Sequence, residues 1–181
     1  TSRSGGNLRP HEAVGGDGTC QEIETRRIIY DTAGRAEHLI IRRGDYHQDV
    51  PLNPSVPPGR DPGGVLVAVI DTGLNYQLPG IAARLARDKG GRILGYDFWD
   101  HDARPFDVDI GRSPFFLLHH GTAVTSIILR EAPNARIAPY RFPRPNMARM
   151  ADVAAHADAA GAKIVNLAMG SNKADDWRAF E

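Results

Sequence analysis

The stretch that most constrains this chain is Val65-Leu66-Val67-Ala68-Val69-Ile70-Asp71-Thr72-Gly73, an unbroken apolar run that ends in a carboxylate and a glycine. Apolar residues without polar alternation suit a strand covered on both faces, as in a parallel sheet packed between helices. Pro62, Gly63 and Gly64 punctuate its start. In open α/β sheets, sites form beyond the carboxyl ends of the strands, so Asp71 sits where chemistry is usually placed. A second stretch, His119-His120-Gly121-Thr122-Ala123-Val124-Thr125-Ser126-Ile127-Ile128-Leu129, sets a histidine before small residues and an apolar run. This predicts an imidazole at a helix entrance, with the small residues letting that helix approach the sheet closely.

Together the two stretches resemble the subtilisin-like serine proteases, or subtilases. The family's acid motif is matched by Val69-Ile70-Asp71-Thr72-Gly73, and its His-Gly-Thr-x-Val motif by His120-Gly121-Thr122-Ala123-Val124. A third stretch, Lys163-Ile164-Val165-Asn166-Leu167-Ala168-Met169-Gly170-Ser171, is similar to the family's substrate-lining strand, which usually reads Ile-Asn-x-Ser-Leu-Gly. The resemblance implies an α/β fold with a parallel sheet flanked by helices. It also implies a triad in the chain order Asp, His, Ser. By that resemblance Asp71 is the acid, His120 the base, and Ala168, Met169 and Gly170 form the strand that pairs with substrate backbone. Ala168 departs from the family's Ser. Pairing through backbone groups survives that change, while the lining of the pocket differs.

The chemistry asks for these residue types. A serine hydroxyl attacks an amide poorly unless a base removes its proton, and an imidazole with an unperturbed pKa near ~6.5 is suited to do so around neutrality. A buried carboxylate fixes the tautomer and favours the imidazolium that forms. The family's oxyanion-hole asparagine and its Gly-Thr-Ser nucleophile motif follow the third stretch, and no Gly-Thr-Ser occurs in residues 1–181. Ser2, Ser4, Ser55, Ser113, Ser126 and Ser171 all lack that setting. The expectation is an endopeptidase acting on protein or peptide substrates, in which this chain supplies Asp71 and His120. The nucleophilic serine then lies on a second polypeptide or an absent segment.

Two other classes stay open at this point. One is a non-catalytic subtilase relative that binds peptides or regulates a partner, although binding alone needs neither Asp71 nor His120. The other is an aspartic protease, because Asp71-Thr72-Gly73 also resembles the retroviral-type motif and Ile93-Leu94-Gly95 its later Ile-Gly element. Such an enzyme needs two acids, usually from a dimer of a mostly β chain, and the helical stretches and His120 argue against it.

Composition narrows the classes further. Twenty-two basic residues balance twenty-two acidic ones, so no bulk field favours nucleic acid or an anionic membrane. The apolar runs are far too short for a membrane span. Thr1 in place of Met and the lack of a basic-then-apolar opening suggest a processed start. Cys20, the single cysteine, has no internal disulfide partner and reads as an incidental thiol. A secreted or extracytoplasmic location is the subtilases' commoner habit and is the expectation here.

Taken in order, residues 1–63 are expected to form a leader, a β-hairpin and a Pro-rich linker, and residues 64–181 the N-terminal part of a subtilisin-like catalytic domain. Residues 1–19 are rich in Gly, Ser, Asn and Asp, which predicts a flexible leader. Arg27 to Tyr30 and Glu37 to Arg42 predict two strands around a Gly-containing turn, an N-terminal hairpin extension. Pro51, Pro54, Pro57 and Pro58 make residues 50–64 a stiff linker. Beyond Asp71, residues 81–88 predict a short helix, residues 92–99 a strand, and residues 100–109 an acidic loop. That loop reads as solvated: calcium is conceivable, but no Asp-x-Asp-x-Asp-Gly pattern with a closing Glu is present, so no cofactor is expected. Residues 113–118 are unusually apolar and predict a wall of the substrate cleft or a surface under another segment. Residues 136–141 predict a strand whose place in the sheet Pro139 makes uncertain. A helix from Asn146 to Ala160, stopped by Gly161, carries an apolar stripe of Met147, Met150, Val153, Ala154 and Ala157 that reads as core packing, and His156 on it reads as a surface or satisfied core residue. Residues 163–171 are expected to be an interior strand.

Overall fold

The computed structural model describes residues 11–19, 21–108, 119–142 and 147–168. Cys20, residues 113–118, Asn146, Met169 and Gly170, all singled out above, lie outside the described residues. The chain divides into two compact units, with the break between Pro54 and Ser55.

The first unit is an antiparallel sheet of four strands in sequence order: β1 (His11–Gly16), β2 (Glu22–Tyr30), β3 (Ala36–Arg43) and β4 (Tyr46–Pro51). The predicted hairpin is β2 and β3. Its turn is held by Asp31, whose Oδ1 accepts from the Ala33 and Arg35 N–H groups, with Gly34 at a φ of 85°. Alternation buries Ile28 on β2 and Leu39 and Ile41 on β3, while their neighbours face outward. The two outer strands go beyond the expectation. β1 lies in the stretch read as a flexible leader, and its Val14 is exposed, so backbone pairing and not an apolar pattern defines it. β4 joins β3 through the two-residue connection Gly44-Asp45, with Gly44 at a φ of 55°, a common hairpin chemistry.

The second unit is the predicted α/β sheet, with strand order β6-β7-β5-β8 and every pairing parallel. The strands are β5 (Leu66–Asp71), β6 (Tyr96–Asp97), β7 (Arg136–Arg141) and β8 (Ile164–Leu167). The long helices are α2 (His120–Glu131) and α3 (Met150–Ala159); a single turn, α1 (Pro79–Ala82), precedes them, and a 3-10 turn at Met147–Arg149 leads into α3. β5 is buried throughout. Leu66, Ala68 and Ile70 share a core with Met150, Val153 and Ala157 of α3. Val67 and Val69 point to the other face, into a core that includes Ile137, Leu85 and Tyr76 and is flanked by Val124, Ile128 and Leu129 of α2. Gly161, at a φ of 83°, follows α3 as predicted.

Three local expectations change. Residues 81–88 are helical only through Ala82; after a turn at Ala83 and Arg84, Leu85 bridges Ile137 and Arg87 bridges Ile93. Leu85, Ala86 and Arg87 are all buried, and three consecutive residues cannot share one helical face. The strand expected over residues 92–99 is regular only at Tyr96 and Asp97, because the N–H groups of Trp99 and Asp100 turn back onto the Asp97 carboxylate. Pro139 sits in an interior strand. The Ile137 N–H donates to Arg84 O and the Phe98 N–H to Arg141 O, so odd-numbered residues of β7 face away from β5. The missing N–H of Pro139 therefore removes no bond to β5, and β6 pairs only from Tyr140 onward.

The Pro139 carbonyl crowds Gly95 so closely that a Cβ there would overlap it. Gly95→Ala should cost about 1–3 kcal/mol of stability through overpacking. Gly80→Ala, at a helical position with open space around it, should be neutral or slightly stabilising. Denaturant unfolding of the two variants of the full protein checks this, and similar midpoints would contradict it.

Candidate active site

The alternation that faces Val67 and Val69 toward α2 carries on to Asp71, so its carboxylate leaves the end of β5 on the same side as that helix. His120 is the first residue of α2. Its Nδ1 lies 2.8 Å from Asp71 Oδ1 and 3.0 Å from Oδ2. Asp71 is 2% exposed, whereas the His120 side chain is 52% exposed. The Thr72 N–H also donates to Asp71 Oδ1, at 2.7 Å. A carboxylate can only accept, so Nδ1 carries the hydrogen and Nε2 is the basic nitrogen of the neutral ring. The pair is thus a buried acid orienting an imidazole that reaches solvent.

Gly121 makes the approach possible, and Gly73 makes room for the segment around Phe106. A Cβ on Gly121 would overlap the Gly73 carbonyl and stand 3.0 Å from the Asp71 Cβ. Gly73, at a φ of 107°, leaves no room for a side chain against the Phe106 carbonyl. The small residues after His120 therefore act as expected, by admitting the helix to the strand end.

Ala168 follows β8, whose Leu167 pairs with Ile70, and so stands at the same carboxyl end of the sheet as Asp71. Met169 and Gly170 lie outside the described residues. Among the described residues β8 is an edge of the sheet, with Ile164 and Val165 half exposed.

The acidic loop differs from the solvated loop expected. Asp97 and Asp100 both bind the buried Arg141, and Asp102 binds Arg104. Asp107 is fully buried: Oδ1 accepts from the Thr72 hydroxyl at 2.6 Å, and Oδ2 from the Thr122 N–H at 2.7 Å and the Thr122 hydroxyl. Burial pushes the Asp107 carboxyl up, with the hydrogen bonds of Thr122 and Thr72 opposing it. These carboxylates are spent on arginines and hydroxyls, and among the described residues no group of three or more potential ligands gathers around a metal position. Sequence reading passed over Asp107 because one carboxylate in an acidic run carries no mark of burial.

His156 accepts or donates at the Tyr140 hydroxyl, 3.1 Å from Nδ1, and packs among Tyr96, Phe98 and Tyr140. It takes no part in the Asp71 site. Among the described residues no helix is long and apolar enough to cross a membrane.

A carboxylate-oriented imidazole at the carboxyl end of a parallel α/β sheet is an arrangement that can take up and return a proton, as it does in nucleophilic hydrolases as a class. The comparisons sharpen that class: the chain belongs to the subtilase family, whose model matches residues 63–179. It is 33% identical over 122 residues to "Thermophilic serine proteinase" of Bacillus sp. (strain AK1), covering 59% of this chain and 26% of that protein. It is 30% identical over 125 residues to "Minor extracellular protease Vpr" of Bacillus subtilis (strain 168), covering 63% of this chain and 15% of that protein. The chain thus spans well under half the length of these relatives. No solved structure gives a significant match. The subtilase match and the parallel sheet remove the retroviral-type aspartic reading, which requires a mostly β chain.

Beside the site, the Phe142 N–H donates to the Asp71 carbonyl, and the preceding Arg141 bonds Asp97 at 3.0 Å with Trp99 stacked on its guanidinium. Burial pushes the Asp97 carboxyl up to about 6 from 3.8, against the pull of Arg141. The folded state therefore holds a proton that the unfolded chain releases between these values. The stabilisation is full below the lower value and is lost as pH rises through about 6. Across that window wild-type stability should fall relative to Asp97→Asn by about 3 kcal/mol, at 1.36 kcal/mol per unit. Denaturant titrations of both proteins, read by tryptophan fluorescence, check the sign. A difference that does not change with pH would refute it.

Proposed function

We propose that the chain provides the acid and base of a subtilisin-like serine endopeptidase, with Asp71 as acid and His120 as base. The observation that carries this reading is the bond from His120 Nδ1 to a carboxylate that is 2% exposed, on a ring that is itself half exposed. In this reading Nε2 takes the proton of a serine hydroxyl as its oxygen attacks the substrate carbonyl. The imidazolium, stabilised by Asp71, then gives that proton to the leaving amine. The chemistry uses side chains alone and needs no cofactor. The nucleophilic serine comes from a segment or second polypeptide outside residues 1–181, since none of the serines within them stands in a Gly-Thr-Ser setting.

Ala168, Met169 and Gly170 are proposed to pair with substrate backbone, a role that suits the position of Ala168 at the Asp71 end of the sheet. The half-exposed edge at Ile164 and Val165 supports continuation of the sheet by further strands. A protein or peptide substrate follows from the proteolytic reading, and the even charge balance gives no support to nucleic acid. A secreted or extracytoplasmic location is supported by the extracellular designation of one relative.

In the full-length protein or its native assembly, His120→Ala should reduce turnover by several orders of magnitude. Asp71→Ala should cost roughly 10⁴-fold or more, by analogy with the subtilisin series in which the acid alone was removed. A fluorophosphonate probe should label a serine outside residues 1–181. Labelling of Ser126 or Ser171 would overturn the proposed origin of the nucleophile. An assembly with no reactive serine would replace the enzyme reading with a non-catalytic, peptide-binding one.

A further inference from the structure

The buried network around Asp107 joins the two motif segments at a point that neither motif identifies. Thr72 follows the acid, and Thr122 lies two residues after the base. The Thr72 hydroxyl accepts from the Gly121 N–H at 3.0 Å, and the Thr122 hydroxyl accepts from the Asn75 N–H at 2.8 Å. Each hydroxyl therefore receives a backbone hydrogen from the opposite segment and spends its own proton on Asp107. Asp107 accepts three hydrogen bonds, a pattern that suits a carboxylate, which has no proton to place. The neighbouring His119 adds a contact from Nδ1 to the Asp107 carbonyl at 3.0 Å. The circuit closes on itself: strand end to Asp107, Asp107 to helix start, helix start back to strand end.

We propose that Asp107 is a positioning residue, which sets the distance and orientation between Asp71 and His120 by gripping the Thr72 and Thr122 hydroxyls. This inference rests on the proteolytic reading of the Asp71–His120 pair. Asp107 does not touch the imidazole or Asp71; it acts through the two residues that flank them. Without it, the Thr122 N–H and the two hydroxyls lose their shared acceptor, and α2 loses one of its side-chain ties to the end of β5. A buried network of this kind loses most when one member is removed, because the remaining partners stay dry and unpaired. The consequence for the reaction is a looser hydrogen bond from His120 Nδ1 to Asp71. That lowers the rate of proton transfer and leaves substrate binding largely intact.

The test uses Thr72→Val, Thr72→Ser and Asp107→Asn in the full-length protein or its native assembly. Thr72→Val alters no charge, so it separates geometry from the electrostatic effect of losing a carboxylate. It should lower kcat about 10–100-fold, the scale of a small misplacement of reacting groups, with KM held within about threefold. The acid limb of kcat/KM should move to lower pH, because a less tightly held carboxylate stabilises the imidazolium less. Thr72→Ser keeps the hydroxyl and should return kcat to within about threefold of wild type. Asp107→Asn should show the same loss of kcat as Thr72→Val if it folds. A folded Thr72→Val with wild-type kcat and an unmoved acid limb would overturn the proposal, as would equal losses in the Ser and Val variants. The titration of His120 followed by NMR gives a readout that needs no turnover. If wild type lacks a reactive serine, the endopeptidase reading fails, and a His120 titration shifted in Thr72→Val still supports the coupling while an unshifted one overturns it.

Discussion

The structure depends on how closely the N-terminus of α2 meets the end of β5. Two backbones meet there with no Cβ between them, because a methyl group on Gly121 would overlap the Gly73 carbonyl oxygen. That proximity brings His120 within hydrogen-bond reach of a carboxylate at the end of a fully buried strand. It also excludes water from the Asp71 side, where a hydrogen bond to a charged acceptor is stronger than in bulk solvent. Burying a carboxylate is costly unless its lone pairs are used. Asp71 uses them on the Thr72 N–H and on the imidazole, so the residue that orients the base is itself held by backbone.

The Asp71–His120 couple was legible in the sequence because Asp71 ends an apolar run and His120 opens a helical one, each beside small residues in a stretch that resembles a subtilase motif. Those features carry the geometry, since an apolar run ending in an acid fixes which end of the sheet bears the site. Period-two alternation from Val67 through Val69 then fixes its face. Asp107 was not legible. Its burial depends on two threonines distant in sequence, and a carboxylate among five other acidic or polar neighbours in residues 100–109 looks the same whether it is solvated or dry. The same holds for Asp97, whose partner Arg141 lies on another strand.

The fold shows a similar division. Both sheet-facing helices and the central strand followed from hydrophobic periodicity, because each buries one stripe or two faces against a neighbour. The segment after Ala82 did not, since Ile81 and Leu85 fit a helical spacing equally well, and only the bridges to Ile137 and Ile93 select the extended form. β1 was hidden for the opposite reason. It has almost no apolar pattern, and its place comes from main-chain pairing with β2, which composition does not reveal.

The proline-rich stretch that follows Pro54 belongs with the second unit because its backbone is tied down along its length. The Arg87 guanidinium binds the Pro57 carbonyl, the Arg87 N–H and the Arg136 side chain both meet Asp61, and Gln77 reaches the Ser55 carbonyl. In mechanical terms this makes the stretch an anchorage. Tension arriving along the chain from the N-terminal side would load the clasps at Ser55, Pro57 and Asp61 in turn before any of it reached Leu66. The strand that bears the acid is thereby strain-relieved, as a cable is where it enters a housing.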